Sequence, residues 1–184
     1  MKGDILMKKS ATIFIFIFMT GLFAGIFFST NLSYENNEYL SSLLLASFTD
    51  NAAGFGKIFF SALVSNFILM LIMLPAIVTK FLCPIPPVIL WFKSFSIGFC
   101  SGLVYLNANN AILISLTKIF PPNLFIIPAF LIISTVIFHC STSEAIKKNR
   151  PYQENKSLLI LTAISVILVL AGCITESICH SAAL

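Results

Sequence analysis

The residues able to do chemistry are few and scattered in this 184-residue chain. Intramembrane proteolysis, lipid synthesis and similar reactions need paired carboxylates, a histidine cluster, or a nucleophile beside a base, held at one depth. Of the seven acids, only Glu176 stands close to the end of a long apolar run, with Glu144 beside another in a loop. His139 and His180, the only histidines, are predicted to fall on opposite sides of a bilayer and so not to share a metal. Cys83, Cys100, Cys140, Cys173 and Cys179 show no C-x-x-C spacing. The first four lie in or beside apolar runs, where cysteine behaves as a small hydrophobe, and a Cys173–Cys179 disulfide is the minor reading. No H-E-x-x-H, G-x-S-x-G or G-x-x-x-x-G-K-[ST] pattern occurs. The expectation is a non-enzyme with no catalytic residue, no metal and no cofactor.

What positions these residues is set by composition. The chain is 58% hydrophobic and 10% charged, with 19 Phe and a mean hydropathy of +0.99. Soluble domains run at about 45–50% apolar and about 25% charged, so this is the membrane class and a soluble enzyme is excluded. At about 20 residues per span there is no room for a separate soluble domain, and residues 1–184 are expected to form a single integral membrane domain. Stretches free of Asp, Glu, Lys and Arg fall at 10–34, 58–79, 94–117, 119–143 and 157–175. They predict five transmembrane helices, over about 11–28, 58–78, 88–106, 122–139 and 158–173. The first follows Lys2, Lys8 and Lys9 and reads as an uncleaved anchor, because its run is long and no A-x-A-like site follows. The third carries Lys93 near one end, where it is expected to snorkel. The fourth starts at Pro121 and Pro122, which suit a first helical turn, and holds Pro128 inside.

Orientation follows from the cations. With five spans and a cytoplasmic amino terminus, Lys2, Lys8, Lys9, Lys80, Lys93, Lys147, Lys148, Arg150 and Lys156 lie inside and Lys57 and Lys118 outside, nine against two. A re-entrant third segment would give six against five. The net charge of +4 is therefore a topology signal, not a nucleic-acid surface. This places the carboxyl terminus outside, residues 29–56 as the long outer loop, and residues 144–156 as a polar cytoplasmic loop. Within the outer loop, Leu40, Leu43, Leu44 and Phe48 recur at helical spacing opposite Glu38, Ser41, Ser42 and Asp50. The fold expected is an all-α polytopic membrane protein, a five-helix bundle with a short interfacial helix in that loop.

Packing signals complete the picture. Ser94, Gly98 and Gly102 repeat at every fourth residue on the third helix, as do Gly21 and Gly25 on the first, a spacing that lets helix backbones approach closely. The simpler reading is packing within one bundle; an oligomer interface is the other. Asn66, with Ser61 and Ser65, is expected to hydrogen-bond across helices. Glu176, just past the fifth span, is expected to cap it or to pair with Lys118 or Lys57 on the outer side.

The stretch Pro121-Pro122-Asn123-Leu124-Phe125-Ile126-Ile127-Pro128-Ala129-Phe130-Leu131-Ile132 resembles the P-x-N-hydrophobic-P segment of the stage II sporulation protein M family, polytopic membrane proteins of endospore-forming bacteria. Upstream, Phe92-Lys93-Ser94-Phe95-Ser96-Ile97-Gly98-Phe99 is similar to that family's K-G-x-x-x-G-F segment, with Ser94 in place of the first glycine. Leu74-Pro75 at the end of the second span and Glu176-Ser177 after the fifth agree with the family layout, so the resemblance covers nearly the whole chain. It implies a non-catalytic scaffold in the cell membrane that recruits stage II sporulation proteins D and P, two peptidoglycan-degrading enzymes, to the sporulation septum for engulfment. From exposure alone, the outer surface open to such partners comprises Glu35, Glu38, Leu40, Leu43, Leu44, Phe48, Asp50 and Glu176. Pro121, Pro122, Asn123 and Pro128 are expected to shape the fourth helix. A different class of function is a membrane subunit of a small transporter that works with a separate ATPase, for which Pro128 and an unwound Pro84-Ile85-Pro86-Pro87 stretch are the favourable features. Against it stand the lack of a visible inverted repeat, of an ionisable residue at the midplane, and of polar cavity-lining residues. A water-filled pocket at bilayer depth would favour it.

Overall fold

The computed structural model describes residues 2–49, 54–108, 110–142 and 152–181. Among these the protein is helical throughout, with five helices long and apolar enough to cross a membrane. Helix α1 spans Lys2–Thr30, with an apolar part at Ser10–Thr30. After a short turn, α2 covers Tyr34–Thr49. The second span is α3, Phe55–Met73, extended by the single turn α4, Pro75–Val78. A 3-10 turn at Lys80–Leu82 leads into α5, Ile85–Asn107. Helix α6, Ala111–Ile114, runs through a π-helical segment, Ser115–Ile119, into α7, Phe120–Thr142. Helix α8, Tyr152–Ser181, is the fifth span.

Several boundaries differ from those expected, each for a physical reason. The fourth span is a continuous 32-residue run, Ala111–Thr142, and begins well before Pro122. The π segment carries the helix past Lys118 and into the two prolines, which lack the N–H a regular α-turn requires there. Asn123 then donates its side-chain amide to the Ile119 carbonyl at 2.7 Å. Pro75 does not end the second span but opens one further turn, while Pro84 precedes α5 as its N-cap and Pro86 and Pro87 lie in its first turn. The fifth span runs on to Ser181, so Glu176, Cys179 and His180 belong to the helix itself. It also begins at Tyr152, which takes in part of the expected 144–156 loop; residues 143–151 lie outside those described, as does Asp50.

Helix α1 packs along α5, α7 along α8, and α3 against α8. The order of facing residues, Gly21 against Ser94 and Gly102 against Ser29, makes α1 and α5 parallel. A Cβ on Gly21 would lie 2.6 Å from the Trp91 carbonyl oxygen, and one on Gly25 would lie 2.7 Å from the Phe99 nitrogen. Gly98 meets the Leu22 backbone from the other side. The candidate packing residues Gly21, Gly25, Ser94, Gly98 and Gly102 thus share one seam, and Ser29, which the sequence pattern missed, continues the α1 stripe at the next turn. Beside the seam Trp91, Phe95 and Phe99 stack along α5 with centroids 5.4 and 6.1 Å apart, and Phe28 tilts against the latter two. The core of the bundle is carried by Phe14, Met73, Leu90, Phe130, Ile137 and Val169, all nearly inaccessible.

Helix α2 crowns one end of this bundle. Asn37 donates to the Ser29 carbonyl at 3.3 Å and its own side-chain oxygen accepts from Asn107 at 2.5 Å. At the other end of α2, Phe48 rests on the His180 ring, with centroids 5.2 Å apart. The helix is therefore tied to α1, α5 and α8 together.

Candidate functional site: a polar chamber inside the bundle

The small-residue seam is closed by backbone contact, but another face of α5 opens into polar space. Lys93 begins there. It stands eight residues into α5, about 12 Å along the axis at 1.5 Å per residue, and does not reach back to the near end of its helix. It turns inward and donates to the side-chain oxygen of Asn66 on α3 at 2.9 Å, with its ammonium 5.7 Å from the Phe130 ring centroid on α7. Snorkelling is replaced by a part-buried hydrogen bond and a cation–π contact, which engage the ammonium without its crossing to the interface. Asn66 in turn donates to the Ala62 carbonyl at 2.9 Å and to the Cys173 sulfur on α8 at 3.8 Å. It lies about 16 Å along α3 from Phe55, so this cluster of α3, α5 and α8 sits in the middle third of the bundle. An ionisable residue is thus present at depth, contrary to the expectation from sequence.

Above the cluster, towards α2, α8 turns Cys173, Glu176, Ser177 and His180 to one face, at the three- and four-residue steps of a helix. Glu176 does not cap the helix. It shares with Lys93 and His180 the lining of two adjoining cavities of about 170 and 320 Å³. The smaller also meets Lys118, Cys100, Asn123 and Phe48; the larger meets Lys57, Ser61 and Ser65. The expected partners of Glu176 are Lys118 and Lys57, but the charge that acts on it is Lys93. Lys118 is buried in the π segment of the fourth span, where its ammonium donates to the Cys179 carbonyl near the end of α8. A cation read as an outer-loop residue is in this way a staple between two spans. Phe48 and Ser47 of α2 lie over the chamber.

The other residues singled out from sequence fall elsewhere. Glu35 and Glu38 are exposed on α2, together with Tyr34, Tyr39 and Leu43, whereas Leu40, Leu44 and Phe48 are half-buried against the bundle. The proposed ridge is therefore split between an outward and an inward face, and Glu176 belongs to neither. Pro122 is buried between α7 and α8, with Pro121 and Pro128 half-buried on the same helix; the Pro122 carbonyl lies against Gly172. Cys173 and Cys179 are free thiols. His139 is buried near the opposite end of the bundle from His180, and among the described residues no three His, Cys, Asp or Glu side chains gather as a metal site. Lys93 and Asn66 are the readable signal: a cation within a span and an amide on a neighbouring one are costly at depth unless they meet.

Residues 14–179 match the family model described as Stage II sporulation protein M. The chain belongs to that family. The matched region runs from α1 to α8, so it includes all five spans, the glycine seam and the chamber. Comparison with curated proteins and with solved structures returned no match. Family membership makes this a sporulation-related, multi-pass membrane protein.

Proposed function

We propose that the protein is a non-catalytic scaffold in the cell membrane, which gathers peptidoglycan-degrading enzymes, stage II sporulation proteins D and P, at the sporulation septum during engulfment. The observation that supports this reading is α2: a helix held to the bundle by Asn37 and Phe48 that still offers Glu35, Glu38, Tyr34, Tyr39 and Leu43 to solvent. A rigidly mounted face of mixed acidic and aromatic character suits capture of a protein partner. Confining enzymes to one patch raises their effective concentration with no new chemistry. The orientation that fits puts α2 and the carboxyl-terminal end of α8 outside and the amino terminus in the cytoplasm. With Lys93 and Lys118 removed from the count because they are internal, the remaining cations still stand eight inside to one outside, Lys57 alone.

The test is affinity purification from starved native cells in mild detergent, with a tag on the amino terminus. Co-purification of peptidoglycan hydrolases, lost when Glu35 and Glu38 are both changed to Lys, is the expected result. Recovery of an ATPase and a permease partner without any hydrolase overturns it. One observation favours that second reading, a transporter subunit: the chamber lined by Lys93, Glu176 and Asn66 at depth is the kind of polar cavity such a subunit needs. Reporter fusions at residues 150 and 184 test the orientation, with residue 150 expected inside and residue 184 outside.

A further inference from the structure

Lys93 and Glu176 bring opposite charges to one space without neutralising each other. Both side chains line both cavities. The Lys93 ammonium has three N–H donors and gives one to the neutral amide oxygen of Asn66. Among the described residues no direct ion pair joins it to Glu176, although the two feel each other electrostatically, and no hydrogen bond reaches the Glu176 carboxylate. A charge left unmet at bilayer depth costs several kcal/mol, and close packing would ordinarily bring two such groups together. Here the helices hold them apart, with Asn66 fixing Lys93 on one side and α8 fixing Glu176 on the other.

Such a space selects its ligand by charge. A simple anion is drawn to Lys93, and to Lys118 and Lys57 which also line the smaller and the larger cavity, but leaves the Glu176 carboxylate unmatched; a simple cation is drawn to Glu176 and repelled by the ammoniums. A molecule with both charges satisfies both walls. We propose that the chamber is a binding site for a small zwitterion, one acid group and one primary ammonium a few bonds apart, with the acid on Lys93 and the ammonium on Glu176. The cavity volumes suit a ligand of this size, and Phe48 of α2 lines the smaller of the two cavities. Two sources carry this chemistry: a free α-amino acid, and the phosphoethanolamine headgroup of a membrane lipid. The inference does not rest on the scaffold reading, since the chamber lies on the inner side of α2 and the partner face on its outer side.

The experiment uses the purified full chain in detergent micelles, titrated calorimetrically with L-alanine, with dihexanoyl phosphatidylethanolamine, and with inorganic phosphate and ethylammonium chloride as single-charge probes at matched ionic strength. Saturable binding of at least one zwitterion is expected, with either single-charge probe bound at least about tenfold more weakly, the loss expected for one charge-assisted hydrogen bond. Alanine binding identifies a free amino acid as the source, and binding of the lipid alone identifies the headgroup. Glu176→Gln keeps the side-chain shape and is expected to lower zwitterion affinity about tenfold or more, as is Lys93→Gln. Should Lys93→Gln fail to fold, Glu176→Gln decides alone. No binding of either zwitterion, phosphate bound as well as the zwitterions, or unchanged affinity in Glu176→Gln each overturns the proposal. Hydrolase co-purification is read separately, so failure of one reading is distinguishable from failure of the other.

Discussion

The two faces of α5 solve the problem of helix association in opposite ways. Towards α1, Ser94, Gly98 and Gly102 remove side chains so that backbones touch, and van der Waals contact does the holding. Towards α3 and α8, Lys93 introduces the most costly side chain a bilayer interior can hold, and the helices are kept apart by the space it needs. Between lipid-solvated helices there is little hydrophobic force to draw them together, so close contact is available only where small residues permit it. The comparison teaches that one helix can act as a fixed strut on one side and as the wall of a cavity on the other.

The comparison is broken most severely by filling the seam. Changing both Gly98 and Gly102 to Leu drives side chains into the Leu22 backbone and Ser29, and is expected to lower the amount of protein in the membrane severalfold, read by quantitative immunoblotting. Normal accumulation would mean that α1 and α5 do not depend on that contact. Gly54→Ala is the matched control, since nothing lies within 4 Å of a Cβ there, and it is expected to leave the level unchanged.

A smaller effect tests the other face. Asn66→Leu removes the acceptor of the Lys93 ammonium and the donor to Cys173, and is expected to cost about 1–3 kcal/mol in a denaturation titration in micelles, because a charge-assisted bond between two spans is lost. Asn66→Gln, which keeps the groups but lengthens the arm, is expected to cost less. Equal loss in both would point to packing at Asn66 and not to its bond with Lys93.

The smallest expected effect lies at the crown. Phe48→Ala removes the ring contact with His180, worth about 0.5–1.5 kcal/mol, and is expected to speed chymotryptic cleavage at Tyr34 and Tyr39 while leaving the five spans intact. Unchanged cleavage would show that the Asn37–Asn107 end of α2 is sufficient to hold it.

Much of the architecture was legible because a bilayer imposes length and apolarity on every span. The five helices and the glycine stripes follow from that rule and from small-residue spacing, and α2 from the helical spacing of Leu40, Leu44 and Phe48. The same rule misled wherever a charge lies inside a span. Lys118 reads as a boundary between two charge-free runs, yet the helix begins at Ala111 and the lysine is stapled to α8. Glu176 was placed beyond its span for the same reason, although α8 continues to Ser181. Lys93 sat near the edge of an apolar run and invited a snorkelling reading; only the position of Asn66 on another helix turns it inward. Asn66 itself was recognised as a cross-helix donor, but one sequence read alone does not name the partner. Ser29 escaped notice because a serine at the end of a helix also reads as the start of a loop.

The parallel pairing of α1 with α5 has a consequence for biogenesis. Gly21 and its contact Ser94 are roughly 70 residues apart, and at about 5–20 residues per second the ribosome needs about 4–15 s to make the second after the first. Through that interval the notched side of α1 has no docking partner from its own chain and must be shielded by lipid, by the insertion machinery, or by the first span of a neighbouring nascent chain. The bundle is closed late, by its third span, and a ribosome that stalls before α5 leaves an orphan helix already shaped for close pairing.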